Sequence, residues 1–106
     1  MATYQILFHG FGFDVSLDDD AESISGFYTT RRVGADGPND AYLVALERLR
    51  SEETTKSLIS QSLANGGSPQ FEAEEIIEVP FWRRLFGRVP EGFIFYTDSE
   101  EEESPR

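Results

Sequence analysis

The sequence predicts an α+β domain: an antiparallel sheet of about four strands in the chain order β-β-α-β-β, with one helix, or two, packed on one face. Three observations carry this prediction. Two strand-like segments precede a helical region and two follow it, an arrangement expected of α+β architecture and not of a wound parallel sheet. At 106 residues the chain has room for a single core. Its hydrophobic fraction is only 39%, yet nine Phe, four Tyr and one Trp supply an aromatic interior, since each ring removes about 150–250 Å² from water.

Residues 4–15 read as a strand with a fault in it. Tyr4, Ile6 and Phe8 share one parity, whereas Phe11, Phe13 and Val15 share the other. The slip falls at Gly10-Phe11-Gly12, and glycine inside a strand pattern marks a bulge that re-aims the side chains after it. Asp18, Asp19, Asp20, Glu22 and Ser23 form a polar connection. Residues 24–33, rich in Thr, Tyr and Phe, then complete a hairpin.

A loop containing Gly37-Pro38 follows, and Asn39 reads as a helix N-cap with Asp40 in the first turn, where a carboxylate suits the helix dipole. Tyr42, Ala45, Leu46 and Leu49 keep the i, i+3, i+4, i+7 spacing, so one stripe packs on the sheet while Glu47, Arg48 and Arg50 face water. Within residues 52–64, Leu58, Ile59 and Leu63 fit a short second helix, or an extension of the first, which Asn65-Gly66-Gly67-Ser68-Pro69 stops.

In residues 71–81, Phe71, Ala73, Glu75, Ile77, Val79 and Phe81 alternate with Glu72, Glu74, Ile76 and Glu78, giving one apolar and one acidic face broken only at Glu75 and Ile76. An aromatic strand over residues 92–98 closes the sheet. Residues 1–97 are expected to form one domain. Residues 98–106 carry five acids against one Arg and read as a disordered acidic tail.

Composition removes several functions. With no Cys, the chain has neither disulfides, thiolate-bound metal nor a thiol nucleophile. The formal charge of −11 opposes non-specific binding to nucleic acid and to anionic lipid. The opening residues lack the basic and long apolar stretches of a secretion signal, which predicts a cytoplasmic protein that does not span a membrane.

The stretch Gly26-Phe27-Tyr28-Thr29-Thr30-Arg31-Arg32-Val33 resembles a strand found in a group of short bacterial proteins of unknown function that carry a GFYTTR-like motif. In that group the strand is followed by a helix similar to residues 40–49, a Glu-rich strand similar to 71–79 and a closing segment similar to 90–96. The resemblance covers most of the chain in order and departs at residues 81–87. It implies a bacterial protein, and it carries no activity or catalytic residue across.

Each chemical constellation has a plain structural alternative. His9 is the only histidine, so a Ser-His-Asp arrangement would depend on it, with Ser16 or Ser25 as nucleophile; no G-x-S-x-G elbow is present. A structural or surface role mid-strand is the expected one. A lone histidine also argues against zinc, whose sites use several His or Cys ligands. Asp18, Asp19, Asp20 and Glu22 lack the spacing of an EF-hand. Glu72, Glu74 and Glu78 could contain an acid and base pair, but strand alternation alone explains the row. Gly10-Phe11-Gly12 lacks the third glycine and the following helix of a dinucleotide loop. No cofactor, metal or catalytic residue is therefore assigned.

Arginine is the informative residue. Arg31 and Arg32, with Trp82, Arg83, Arg84, Phe86 and Arg88, place five of nine basic residues in two short segments among aromatic rings. Brought together, they would make a binding patch suited to phosphate, carboxylate or a protein surface; alternatively, they plug the end of the sheet and pair with Glu72, Glu74 or Glu78. The leading expectation is a small non-enzymatic interaction domain, a homodimer or the partner of another protein, acting through this patch or a strand edge. The second is an acidic inhibitor or nucleic-acid mimic that binds a basic partner. The third is a small hydrolase using His9.

Overall fold

The computed structural model describes residues 1–16, 23–80 and 91–97. The order is β1 (Ala2–Ser16), β2 (Ser23–Ala35), α1 (Pro38–Ser51), α2 (Glu53–Ala64), β3 (Gln70–Glu78) and β4 (Ile94–Thr97). The four strands form one antiparallel sheet in the spatial order β3-β1-β2-β4. The two helices lie between β2 and β3 in sequence, so the α+β class and the four-stranded sheet agree with the reading of the sequence. Among the described residues no helix is long and apolar enough to cross a membrane.

The expected bulge in β1 is present, and its switch falls at Gly12, within the stretch Gly10-Phe11-Gly12. Register runs without interruption from Ala2↔Ala35 to Phe11↔Gly26 and resumes at Val15↔Ile24, so β1 spends more residues than β2 across the gap. Gly12 sits at φ 76°, a left-handed value that glycine adopts without cost. Tyr4, Ile6 and Phe8 before it, and Phe13 and Val15 after it, all reach the buried face. Phe11, expected to join Phe13 and Val15, stays on the opposite face beside His9 at 5.4 Å between ring centroids, because the parity changes at Gly12 and not before it.

Bulging removes ladder partners from the β1 backbone, and the end of α2 replaces them. Ser68 N–H donates to Gly12 O at 2.9 Å, Asp14 N–H to the Ser62 hydroxyl at 3.0 Å, and Asn65 Nδ2 to Asp14 O at 2.9 Å. Each bond satisfies a backbone group of β1 that the bulge takes out of the ladder.

The same bulge divides the core. On one side Tyr4, Ile6, Phe8, Val33 and Ala35 pack under Ala41, Ala45 and Leu49 of α1. On the other, Phe13, Val15, Ile24 and Phe27 pack with Leu58 of α2. Ile6, Phe8, Phe27 and Leu49 are completely buried, each stabilising the fold by about 1.5–3 kcal/mol relative to exposure.

Three details depart from expectation. α1 begins at Pro38, with Gly37 and not Asn39 at the cap position and no side-chain cap; proline at the first helical position has no N–H to satisfy there and a suitable φ. The buried stripe of α2 is Thr55, Leu58 and Ser62, which leaves Leu63 61% exposed. β3 carries a bulge of its own: Leu7 pairs with Glu75 but Phe8 with Ala73, so Glu74 is the extra residue. Phe71 and Ala73 pack on the helix side, whereas Glu75 and Ile77, predicted to share that side, fall opposite Leu7 and Gln5 on the other.

Candidate functional site

Arg31 and Arg32 are separated by the strand that carries them. Arg31 pairs across from Ile6 on the helix side and is 2% exposed. Its Nε and Nη2 donate to the two oxygens of Glu52 at 2.9 and 2.6 Å, and Nη1 donates to Thr29 Oγ1, Thr30 O and Glu91 O at 2.7, 2.6 and 3.0 Å. The guanidinium also lies over Phe93, 5.5 Å from its centroid. Glu52 is the residue between the two helices, so this fork ties the helix junction to the sheet. Arg31 thus offers no surface to a partner. Arg32 is on the other side of the sheet and donates from Nη2 to Gln5 Oε1 at 2.9 Å. The remaining expected patch residues, Trp82, Arg83, Arg84, Phe86 and Arg88, lie outside the described residues, as do the Asp18–Asp20 connection and the acidic tail.

The helix-free side of the sheet assembles a different constellation around His9. In β1, His9 is directly opposite Tyr28 of β2 and Glu72 of β3, and residues opposed in an antiparallel pair share a face. The imidazole stacks on Tyr28 at 4.5 Å with planes 12° apart. Its Nδ1 is 3.1 Å from Glu72 Oε2 and 3.3 Å from Glu74 Oε2, and Nε2 is 2.6 Å from the Tyr96 hydroxyl. Carboxylates only accept, so Nδ1 carries the proton and donates, and in the neutral ring the Tyr96 hydroxyl donates to Nε2. The His9 side chain is 14% exposed, against 51% and 40% for Glu72 and Glu74.

Local sequence explains how these groups meet. Gly26 of the GFYTTR stretch lies opposite Phe11 and beside Tyr96; a Cβ at this position would run into the Tyr96 ring and hydroxyl and into Gly10 O. The missing side chain lets Tyr96 lean across β2 to a histidine two strands away. The β3 bulge, in turn, brings Glu74 to the same nitrogen that Glu72 already faces.

The Glu72 carboxyl is held below the ordinary carboxylate range, first by the hydrogen bond from His9 and then by the Glu74 side chain, against the opposing effect of burial. Chemically, the cluster offers two clustered negative charges, one imidazole and an aromatic wall. Both imidazole nitrogens are engaged, and neither faces a serine or threonine hydroxyl among the described contacts, an arrangement unlike a nucleophile and base pair. A cleft of about 570 Å³ beside the cluster shares only Phe11 and Tyr96 with it and is otherwise lined by Gly12, Phe13, Asp14, Ser23, Ser25 and Gly67.

From sequence, His9 and the Glu72, Glu74 row were visible as separate features; Tyr28, Tyr96 and Phe11 were not seen as their neighbours. The available signal was parity: Glu72 and Glu74 share a face, and so do Tyr28 and Tyr96 with their own strands' polar sides. Pairing register across two bulges was required to join them. Comparison with protein-family models, with curated proteins and with solved structures finds no match, and so bears neither way on the GFYTTR resemblance.

Proposed function

We propose that this chain is a small non-enzymatic binding domain that presents the carboxylates of β3, with the His9 cluster behind them, to a cationic surface of another protein. The observation that carries this reading is the edge itself. Among the described residues β3 is an outer strand of the sheet, and Glu72, Glu74, Glu75 and Glu78 are all exposed along it. Arg31, Arg32 and Arg48 pair elsewhere in the chain, with Glu52, Gln5 and Glu91, and among the described residues no ion pair joins an arginine to a carboxylate of β3. Such an edge accepts an extended basic segment by main-chain pairing, with carboxylates supplying steering.

The test is titration of a labelled Lys- and Arg-rich peptide, followed by anisotropy, at low and physiological salt. Replacing Glu72, Glu74 and Glu75 by Gln is expected to abolish binding and flatten its salt dependence. A control with Asp36→Asn, Glu47→Gln and Glu53→Gln removes the same charge elsewhere. Equal loss in both variants would show only attraction to net charge and end the reading.

A second reading, self-association, is favoured at the opposite edge. Pairing β3 with a copy of itself would set like charges face to face, which is destabilising. β4 instead exposes Ile94 at 70% and Phe95 at 40%, and an apolar outer strand invites pairing. Ile94→Lys is expected to convert a dimer to a monomer in light scattering; a wild-type monomer at high concentration removes this reading.

A further inference from the structure

His9 Nδ1 and one oxygen from each of Glu72 and Glu74 all lie within 4.8 Å of one another. An ion with bonds of about 2.0–2.2 Å to nitrogen and oxygen requires ligand atoms roughly 3–4.4 Å apart, so small side-chain rotations would bring these three atoms onto one centre. Among the described residues, the ion pairs of Glu72 and Glu74 are with His9 alone, whereas the other pairs, Arg31–Glu52 and Arg48–Glu91, are elsewhere. Two carboxylates therefore converge on a single N–H.

We propose that His9, Glu72 and Glu74 form a site for one divalent transition-metal ion of the zinc class, with Nδ1 and two carboxylate oxygens as protein ligands and water completing the sphere. The mixed nitrogen and oxygen donor set, without sulfur, suits zinc and its neighbours over soft monovalent copper, and the imidazole disfavours calcium and magnesium, which take oxygen ligands.

The surroundings are those of an oriented ligand. Histidines that bind metal through one nitrogen usually engage the other with a hydrogen-bonding partner that sets the tautomer, and Tyr96 occupies that position on Nε2 at 2.6 Å. Stacking on Tyr28 fixes the ring plane. His9 and Glu72 are opposed on paired strands, and Glu74 is the β3 bulge residue, a feature over-represented where a strand re-aims a side chain at a site.

Starting from the neutral ring, binding exchanges one tautomer for the other. In the neutral metal-free ring the proton is on Nδ1. When the ion takes the Nδ1 lone pair, that proton leaves and Nε2 takes one up from water, so the ring stays neutral. Nε2–H then donates to the Tyr96 oxygen, which switches from donor to acceptor.

Because His9 is the only histidine and there is no cysteine, its ring reports on this site without ambiguity. The experiment is imidazole ¹⁵N and ¹H NMR of the chelator-treated full chain titrated with zinc chloride, and with magnesium chloride in parallel. Expected are a saturable 1:1 change, a proton shifted from Nδ1 to Nε2, and no response to magnesium. Glu72→Gln and Glu74→Gln each weaken binding by at least about tenfold, and Tyr96→Phe, which keeps all three ligands, by about 10- to 100-fold. Silence of the His9 signals at saturating zinc, or a change that persists undiminished in both Gln variants, overturns the site. The peptide titration above, run in chelator, fails or succeeds independently of this result.

Discussion

Arg31 and Arg32 stand next to each other in the chain, and the two-residue period of a strand sends them to opposite faces. Arg31 becomes internal cross-bracing. Removing it strands the Glu52 carboxylate, a loss on the order of 3 kcal/mol for a broken buried pair, toward the low end because Glu52 keeps 31% of its exposure. Arg31→Ala is expected to lower the unfolding free energy by that amount, read from the shift of the urea midpoint multiplied by the slope of the transition. Arg31→Lys should recover little, since an ammonium lacks the planar fork that grips both oxygens; full recovery in Lys would mean that charge alone matters. Glu72 acts through pH. Its folded carboxyl titrates below the ordinary range, so its contribution is present above the unfolded value and is lost as pH falls through the lowered folded value. Metal-free Glu72→Gln is therefore expected to show a shallower loss of stability as pH falls below the ordinary carboxylate range, measured by urea midpoint; an unchanged acid limb would contradict the assignment.

At the scale of elements, the two bulges do the positioning. The β1 bulge divides the core between α1 and α2, and its backbone is completed by α2 and the loop after it. Gly12→Ala would force a left-handed residue to carry a Cβ against the Ser68 carbonyl, costing about 1–3 kcal/mol for the backbone alone. Ser62→Ala would leave the Asp14 N–H without its acceptor, costing about 1–3 kcal/mol. Both are checked by chemical denaturation, and a neutral Ser62→Ala would show that Asp14 finds another acceptor. The first bulge was legible in the sequence because glycine and a parity break coincide at residues 10–12. The β3 bulge was not: Glu75 and Ile76 interrupt the alternation, but nothing local distinguishes an extra residue from an exposed isoleucine. Only pairing with β1 does. For the same reason the side that Phe11 takes is not written in the local pattern: either glycine can host the switch, and the bond from Ser68 N–H to Gly12 O marks the one that does.

The whole molecule is a sheet with unlike edges, acidic at β3 and apolar at β4, carrying a net charge of −11. Self-repulsion at that charge opposes compaction and is screened by salt. The melting temperature is expected to rise between low salt and about 0.5 M NaCl, where the Debye length is well below 10 Å; a fall would indicate that the ion pairs around Arg31 and Arg48 outweigh the general repulsion.

The sequence by itself determined the class, the four strands, the helical region and the first bulge, because each is written in local periodicity, in glycine placement and in composition. The α1 stripe and the aromatic core follow from the same short-range rules. Tertiary structure alone decided which residues share a site. His9, Tyr28, Glu72 and Tyr96 come from four strands, and their meeting depends on register, on two bulges and on the space left by Gly26. Register is a long-range property: shifting one strand by a single residue would send its whole row to the other face, and no local pattern records which shift the packed core selects.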